Sequence, residues 1–556
     1  MWCREEAFQI VLVVTALALG VFIVSLPTTI LIHGIVPDDA FYYFKVAQNV
    51  VRGYGLTFDT INPTNGFQPL WQFLLVPIFY IFREPLMLPV RAVLFLQIGL
   101  LALSALLVFR LLRSMQVSIT AGFTATMIWV IFPSIFASIV SGLEGALYAL
   151  LLVYTEWYCV SNFYNVSKPV SLSQRLYLGL LLGLTFLART EAGLFVLIVL
   201  IDLFLHQFRQ RKVRHLLDLY PVGLACAILV VPYLAWNLLE YGHPVPLSGR
   251  VKAFYAAQER SALAGQGIVA LLYGLLREWK STDPIYEGLE IAVKVVRALF
   301  SKLGLPIGIA TILVFAAVAF TLWYLRKHLF RKGAQLRPFT PLIAFAGVTF
   351  VFYNVYLFGR QRHWYFIPHM LLACMLIALL LDGFFERVKA LETPSLRWSL
   401  GIFLCLFSLA TFAGWLIRLR VSPSFGGTIY PYRYDVAQWL AQNTAEDTRI
   451  GVWNAGIVGY FSGRPVINLD GLVNSPAYFR HIKTQTVVDF LEQQEVTFVT
   501  DYFDRDPFTK SKLSRYDRMG RWRTHLQLIL RIPEEVAEGW SQWYIWRFCS
   551  PGSCDE

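Results

Sequence analysis

Charged residues are scarce in this chain of 556 residues, since Asp, Glu, Lys and Arg together make up 15% of it, against about 25% in soluble globular proteins. Apolar residues make up 56%. This composition excludes an ordinary soluble protein and indicates an integral membrane protein. The net charge of +12 does not indicate a nucleic-acid partner, because the Lys and Arg residues fall largely in short runs between apolar segments, as topology signals do.

Cysteines and repeats are also few. The seven cysteines are scattered without metal-ligand spacing, and four of them lie in apolar stretches, where cysteine packs as a small apolar side chain. Cys549 and Cys554 either close a small disulfide loop, if that end is exported, or remain two thiols. The sequence contains no convincing internal repeat, which disfavours a transporter built from inverted repeats.

Apolar runs near the length of about 20 residues that spans a bilayer occur throughout residues 1–417. The first is too long for a signal-peptide core, so we interpret it as a retained helix. The run 176–206 is interrupted by Arg189 and Glu191, which predicts a hairpin of two short arms. The candidate spans are 7–32, 86–109, 119–139, 141–160, 176–206, 216–240, 303–325, 338–358, 362–384 and 398–417.

The basic residues between these runs lie largely on one side if the amino terminus is cytoplasmic. That arrangement requires that the stretch Phe67 to Phe82, which is short and contains Pro69 and Pro77, does not cross the membrane. We therefore predict an interfacial or re-entrant element there and about 11 crossings in total. The predicted outer segments are a first loop 33–66, a long loop 241–301 and the tail 418–556.

The tail of about 140 residues is long enough to bury its own core. It alternates helical and extended patterns, which predicts a small α/β domain. The fold predicted for the chain is an α-helical polytopic membrane protein with a small soluble α/β domain at its carboxyl end. The helical patterns cover 434–442 and 487–494, and the extended patterns cover 449–453, 465–469 and 496–502.

Two adjacent carboxylates, Asp38 and Asp39, directly follow the first predicted span. Carboxylates at this place can deprotonate a hydroxyl or hold a divalent cation such as Mg²⁺, Mn²⁺ or Ca²⁺. They can equally cap the helix predicted over 40–52, where acidic residues suit the helix dipole. The two roles are compatible.

Arg189 and Glu191 stand at the tip of the predicted hairpin, below the outer surface. An ionisable pair at that depth is costly and indicates a functional site, so we predict that Arg189 and Glu191 bind the donor phosphate or the substrate; an ion pair that ties helices together is the alternative. Glu144 is a lone acid near a helix start, where a capping role is more common than catalysis.

Two further groups on the predicted outer side are cationic. The short loop is unusual because its charges oppose the positive-inside preference. A phosphate would compensate them, since Arg forks match phosphate oxygens and aromatic neighbours suit a sugar or lipid headgroup; snorkelling to lipid headgroups is the alternative. The groups are Arg250 and Lys252 in the long loop, and Arg360, Arg362, His363 and Tyr365 in the short loop.

Two carboxylates and several cations in one outer site fit a particular reaction. A carboxylate acts as general base on an acceptor hydroxyl, which attacks the anomeric carbon of a sugar that phosphate links to a membrane lipid. The cations stabilise the leaving phosphate. Direct displacement inverts the anomeric centre.

Two segments resemble a known family. The stretch Pro37 to Trp71, with DDA followed by AxN and GxG, resembles the first outer loop of bacterial GT-C superfamily glycosyltransferases of the arabinofuranosyltransferase and mannosyltransferase-like branch. The stretch Trp453 to Ser475 resembles the soluble domain of bacterial members. This sequence has Asp-Asp where several relatives have Asp-Glu, which leaves the division of labour between the two acids open.

The resemblance implies a polyprenyl-phosphate-linked sugar donor and inverting transfer on the outer face of a bacterial cytoplasmic membrane. The acceptor is a glycan, a lipid or a protein. By position, the resemblance makes Asp38 the base, with Asp39 assisting it or binding a metal. A phosphate-binding role for the cations rests on the charge argument alone.

Two other functions compete with transfer. A carrier or flippase for a lipid-linked sugar would place ionisable groups near the bilayer midplane, within reach of both sides. A non-enzymatic assembly partner would leave the paired aspartates unexplained. Because the ionisable groups gather at one face, we predict a glycosyltransferase.

Overall fold

The computed structural model describes the two parts of the chain that the sequence predicts. The described residues are 2–164, 170–209, 219–270, 333–359, 362–387, 393–421, 431–503, 516–533 and 542–549, with isolated positions between 272 and 324 and at 513.

Helices make up the membrane part as described. Short π-helical or 3₁₀ turns extend several of them. The helices are α1 (Trp2–Val24), α2 (Thr28–Ile30), α3 (Asp38–Val51), α4 (Pro69–Ile81), α5 (Met87–Ser114), α6 (Ile119–Ile131), α7 (Pro133–Ile139), α8 (Gly145–Cys159), α9 (Leu172–Ala188), α10 (Gly193–Arg209), α11 (Tyr220–Tyr241), α12 (Leu247–Ala264), α13 (Gly333–Leu336), α14 (Thr340–Val351), α15 (Ile367–Arg387) and α16 (Pro394–Val421).

Seven helices among the described residues are long and apolar enough to cross a membrane, and the pair α6 and α7, bent by 60°, adds an eighth candidate. The chain is therefore a multi-pass membrane protein, as its composition predicts. The predicted span 303–325 lies almost wholly outside the described residues, as does most of the long loop after residue 270. The predicted number of about 11 crossings stays a prediction.

Three helices of 13 to 17 residues occupy the places where the sequence is least regular. Helix α4 has 13 residues and is roughly 20 Å long, against a hydrocarbon core of about 30 Å, so its length suits the non-crossing element predicted over Phe67 to Phe82. Helices α9 and α10 have 17 residues each. They are separated at Arg189, whose backbone is extended, and by the 3₁₀ turn Thr190–Ala192.

The carboxyl-terminal domain is built on a five-stranded mixed sheet with strand order β2-β1-β3-β5-β4. Strand β1 pairs in parallel with β2 and β3, whereas β5 pairs antiparallel with β3 and β4. The strands are β1 (Ile450–Val452), β2 (Val466–Asn468), β3 (Phe498–Phe503), β4 (Leu526–Ile532) and β5 (Gln542–Phe548), and the helices are α17 (Pro431–Asn443), α18 (Gly456–Phe461), α19 (Pro476–Thr484), α20 (Val487–Gln493) and α21 (Trp522–His525).

The small α/β domain is confirmed, and its five predicted elements occur as α17, β1, β2, α20 and β3. Strands β4 and β5 were not predicted. The sequence QWYIWRF of β5 is rich in aromatic and branched residues, which favour strands, so that signal was available. Cys549, directly after β5, is disulfide-bonded, and Cys554 lies outside the described residues.

The domain shares its core with the membrane part. One cluster of buried apolar side chains runs from the spans through α3 to Val436 of α17 and Ile545 of β5. A second cluster joins Leu247 and Val251 of α12 to Trp453 and other side chains of the domain. The domain therefore packs against both the helix that begins with the two aspartates and the helix that carries the outer-loop cations.

Candidate functional site

A cavity of about 910 Å³ lies where the first outer loop, α12, the hairpin tip and the carboxyl-terminal domain meet. Its volume falls in the range of about 300–1,000 Å³ that is usual for small-molecule sites. The polar lining includes Asp39, Tyr42, Tyr43, Gln68, Glu144, Arg189, Thr190, Glu191, His243, Ser248, Arg250, Lys252 and Tyr365, and the apolar lining includes Phe67, Phe186, Leu194, Leu234, Phe352, Leu472, Val473 and Phe479.

Asp39 is the member of the acidic pair that reaches this cavity. It lies in the first turn of α3 and is half-buried. Lys252 lines the same cavity, and its Nζ donates to the Tyr365 hydroxyl at 2.5 Å. Burial lowers the pKa of Lys252, but Tyr365 and the negative charge of Asp39 more than offset it, so the pKa is raised. The ammonium therefore stays charged beside the carboxylate.

Arg250 lies on the same helix as Lys252, two residues earlier, and also lines the cavity. Its guanidinium carbon lies 5.5 Å from the centre of the Phe479 ring in the domain. Arg250 and Lys252 thus supply two positive charges where the sequence predicted phosphate-binding cations.

Arg189 is 2% exposed and is held by two carboxylates. Its Nη1 lies 3.3 Å from Glu144 Oε1, and its Nε donates to Glu191 Oε1 at 2.7 Å. Nη1 also donates to the Trp364 carbonyl at 3.0 Å. A guanidinium engaged in this way ties three segments together, so the geometry favours the structural ion pair over phosphate binding. Glu144 stands at the N-cap position of α8, but its side chain makes no cap hydrogen bond.

Tyr43 and Gln68 connect the first outer loop to the hairpin tip, and neither was predicted. The Tyr43 hydroxyl donates to Glu144 Oε2 at 3.1 Å and accepts from the Gln68 amide at 3.0 Å. Gln68 Oε1 accepts from the Thr190 amide at 3.0 Å. Both residues lie in the stretch Pro37 to Trp71, but only the folded chain brings them to the hairpin tip.

Asp38 binds the carboxyl-terminal domain, which favours Asp39 over the predicted Asp38 as the base. Its Oδ1 accepts from the Ile457 amide at 2.9 Å, and its Oδ2 accepts from the Gly456 amide at 3.1 Å. Arg433 Nη1 lies 3.4 Å from Oδ1. Among the described residues that line the cavity, Asp38 is absent, because the domain occupies both of its oxygens.

The short outer loop reaches the cavity through Tyr365, and the positive charge of Arg362 acts on Lys252 by lowering its pKa. Tyr365 lines the cavity, but His363 and Arg362 are not among the described residues that do so, and Arg360 lies outside the described residues. His363 Nδ1 is 2.8 Å from Ser138 Oγ. Burial and then the charge of Arg362 lower the pKa of His363 to about 4, so the ring is neutral and has a structural contact.

The divalent cation predicted for the acidic pair stays a prediction. Both oxygens of Asp38 are engaged by the domain, which leaves Asp39 as a single carboxylate ligand. Within the described ranges, no group of three or more His, Cys, Asp or Glu side chains is arranged to hold a metal ion.

Comparison with known proteins gives a fold. A family model described as a domain of unknown function, DUF8728, matches residues 427–548. No curated protein sequence matches the chain.

The matching solved structures are membrane glycosyltransferases. The archaeal oligosaccharyltransferase AglB from Archaeoglobus fulgidus, in complex with an inhibitory peptide and a dolichol-phosphate, is 14% identical with a TM-score of 0.55, over 95% of this chain and 73% of AglB. ArnT from Cupriavidus metallidurans, in the apo state, is 12% identical with a TM-score of 0.52, over 96% of this chain and 97% of ArnT. A structure of the Archaeoglobus fulgidus enzyme with Zn and sulfate is 14% identical with a TM-score of 0.53, over 93% and 71%. The chain has the GT-C fold, as predicted.

Replacing Arg189 tests its structural role. We expect Arg189→Met to lower the free energy of unfolding by about 3–5 kcal/mol, because Glu144 and Glu191 would keep buried charges without their partner. Adding Glu144→Gln and Glu191→Gln should recover much of the loss. Thermal unfolding in detergent measures both effects, with the exposed Arg83→Met as control. A fully stable single variant would contradict this role.

Asp38 predicts a pH dependence of stability. Burial raises its pKa to about 6, although Arg433 and the two amides act in the opposite direction. Since the folded protein then holds this proton more tightly than the unfolded chain, the stabilisation is complete below about pH 4 and is lost as the pH rises through about 6. Asp38→Asn should remove this component from melting temperatures measured between pH 4 and 7. Equal pH slopes in the two proteins would refute the assignment.

Proposed function

We propose that this protein transfers a sugar from a polyprenyl-phosphate carrier to an acceptor hydroxyl at the outer face of a bacterial cytoplasmic membrane. One observation carries the proposal: a single cavity is lined by the Asp39 carboxylate, by the cations Arg250 and Lys252, and by apolar side chains. A base, a phosphate site and an apolar contact for a lipid are the three features that such a donor and reaction require.

In the proposed reaction, Asp39 is the general base. Its carboxylate takes the proton of the acceptor hydroxyl, whose oxygen attacks the anomeric carbon of the donor sugar. The bond from that carbon to the phosphate oxygen breaks, and the phosphate leaves with the electron pair. Attack opposite the leaving group inverts the anomeric centre.

Arg250 and Lys252 stabilise the leaving phosphate. Charge that is already in place where negative charge develops is often the largest single contribution to catalysis. Tyr365 holds the Lys252 ammonium through its hydroxyl, which fixes one cation before the donor binds. Arg189 is excluded from this role by its two carboxylate partners.

The apolar side of the cavity suits a lipid carrier. Phe186, Leu194, Leu234 and Phe352 belong to or adjoin the apolar helices α9, α10, α11 and α14. The AglB structure of similar fold contains a dolichol-phosphate, which is a polyprenyl phosphate. A carrier of that class would place its phosphate among the cations and its first isoprene units among these side chains. The carboxyl-terminal domain, as part of the cavity wall, then lies on the outer side.

Asp39→Asn tests the base. We expect transfer to fall by about 10²- to 10⁴-fold, the usual contribution of a general base, while binding of polyprenyl phosphate stays within about twofold. The assay measures release of polyprenyl phosphate from polyprenyl-phosphate-linked pentose or hexose by purified protein with envelope glycans as acceptors.

Asp435→Asn is the control for Asp39→Asn, because Asp435 is an exposed carboxyl in α17 and not part of the described cavity lining. Undiminished transfer by Asp39→Asn would remove Asp39 from the mechanism. Wild-type protein that binds and translocates the donor without transfer would instead favour the carrier hypothesis.

Lys252→Ala tests the phosphate site. We expect the affinity for polyprenyl phosphate to fall at least tenfold, since a charge-assisted contact to phosphate contributes roughly 1.5–3 kcal/mol. Arg250→Ala should act in the same direction. The control is Arg83→Ala, whose guanidinium lies over the Tyr80 ring and outside the described cavity lining. An equal loss of affinity in all three variants would argue against a specific site.

A further inference from the structure

Two sequence segments that resemble the same family contact each other in the folded chain. In the first outer loop, Asp38 contacts the amides of Gly456 and Ile457 in the domain. Elsewhere in the interface, the Tyr42 hydroxyl lies 3.5 Å from Asp470 Oδ2. The segments are separated by more than 400 residues of sequence, and the contact between them follows only from the fold.

Glycines permit this close approach. A Cβ added at Gly456 would lie 2.0 Å from the Asp38 carbonyl oxygen, and one added at Gly66 would lie 1.9 Å from the Leu472 carbonyl oxygen. A Cβ at Gly459 would lie 2.6 Å from the Phe58 ring. Any larger side chain at these positions would separate the domain from the outer loop.

The same domain also holds α12. Leu247 and Val251, on that helix, share a buried cluster with Trp453 of the domain, and Phe479 of the domain lies against Arg250. Lys252 is the residue directly after Val251. The domain therefore contacts both segments whose side chains must face each other across the cavity.

We propose that Asp38 is a positioning residue: by binding the domain through Gly456, Ile457 and Arg433, it sets the start of α3 so that Asp39 faces Lys252. The catalytic consequence of this positioning rests on the proposed function. The alignment of Asp39 with Lys252 is inferred from the contacts alone. The two adjacent acids then have different tasks. Asp38 binds the carboxyl-terminal domain, and Asp39 acts as the general base.

Alignment is measured without activity in the full-length protein. The pair Asp39→Cys and Lys252→Cys is cross-linked with a short bifunctional thiol reagent, with and without Asp38→Ala. We expect Asp38→Ala to lower the cross-linking yield at least fivefold and to raise hydrogen exchange over residues 454–461 at least tenfold. Asp435→Asn, in the same two assays, should change neither. Unchanged cross-linking in Asp38→Ala would overturn the proposal.

Transfer kinetics separate positioning from direct catalysis. We expect Asp38→Ala to lower kcat at least tenfold and to raise hydrogen exchange over 454–461, whereas Asp39→Asn should lower kcat with exchange unchanged. Asp38→Asn, which keeps one acceptor oxygen, should lie between wild type and Asp38→Ala in both readouts, and it replaces Asp38→Ala if that variant does not fold. A lower kcat with normal exchange in the Asp38 variants would make Asp38 a direct participant and refute the proposal.

An independent variant acts from the domain side. Gly456→Ala should reproduce the loss of cross-linking and the faster exchange, because its methyl group would collide with the Asp38 backbone. If wild-type protein transfers no sugar while the cross-linking result holds, the proposed function alone fails. If transfer is normal in Gly456→Ala despite faster exchange, the positioning proposal alone fails.

Discussion

The contact between Asp38 and the carboxyl-terminal domain is the constraint on which the arrangement of the site depends. A buried carboxylate must be matched by donors, because an unpaired charge in a low-dielectric interior costs several kcal/mol. Two backbone amides and Arg433 offset part of that cost. A shift of the domain relative to the first outer loop would expose the Asp38 carboxylate or remove its hydrogen-bond donors. The contact therefore holds the first turn of α3 in one orientation.

Charge balance divides the remaining ionisable groups into two sets. Arg189, Glu144 and Glu191 neutralise one another in a buried network, which joins α8, the hairpin tip and the segment before α15. Among the described residues, Asp39, Arg250 and Lys252 line the cavity with fewer charged partners than Arg189 has, so they retain the capacity to act on a substrate. The difference follows from the number of charged partners that each group has. The Arg189 network is structural, and the residues Asp39, Arg250 and Lys252 are available for the reaction.

Composition and motif were sufficient for the fold class and for part of the site. Apolar run length gave the membrane class and located most described spans, since crossing a bilayer demands a minimum helix length whatever the packing. The DDA motif drew attention to the start of α3, and Lys252, Arg250 and Tyr365 line the same cavity as Asp39, while their roles stay predictions. The domain was foreseen from alternating patterns, although β4 and β5 were missed.

Which of two adjacent aspartates faces the cavity was beyond reach of the sequence. In a helix, neighbouring residues point about 100° apart, so one of the pair must turn away, and only the position of the domain decides which. Likewise, the sequence predicted Arg189 as a phosphate ligand, and only the fold shows Glu144, 45 residues away in sequence, beside it. Tyr43 and Gln68 contact the hairpin tip only in the folded chain. The length of apolar runs and the local residue pattern are properties of short segments, so the sequence alone determines them. Partnership between charges depends on distances between remote segments, and the tertiary structure alone determines them.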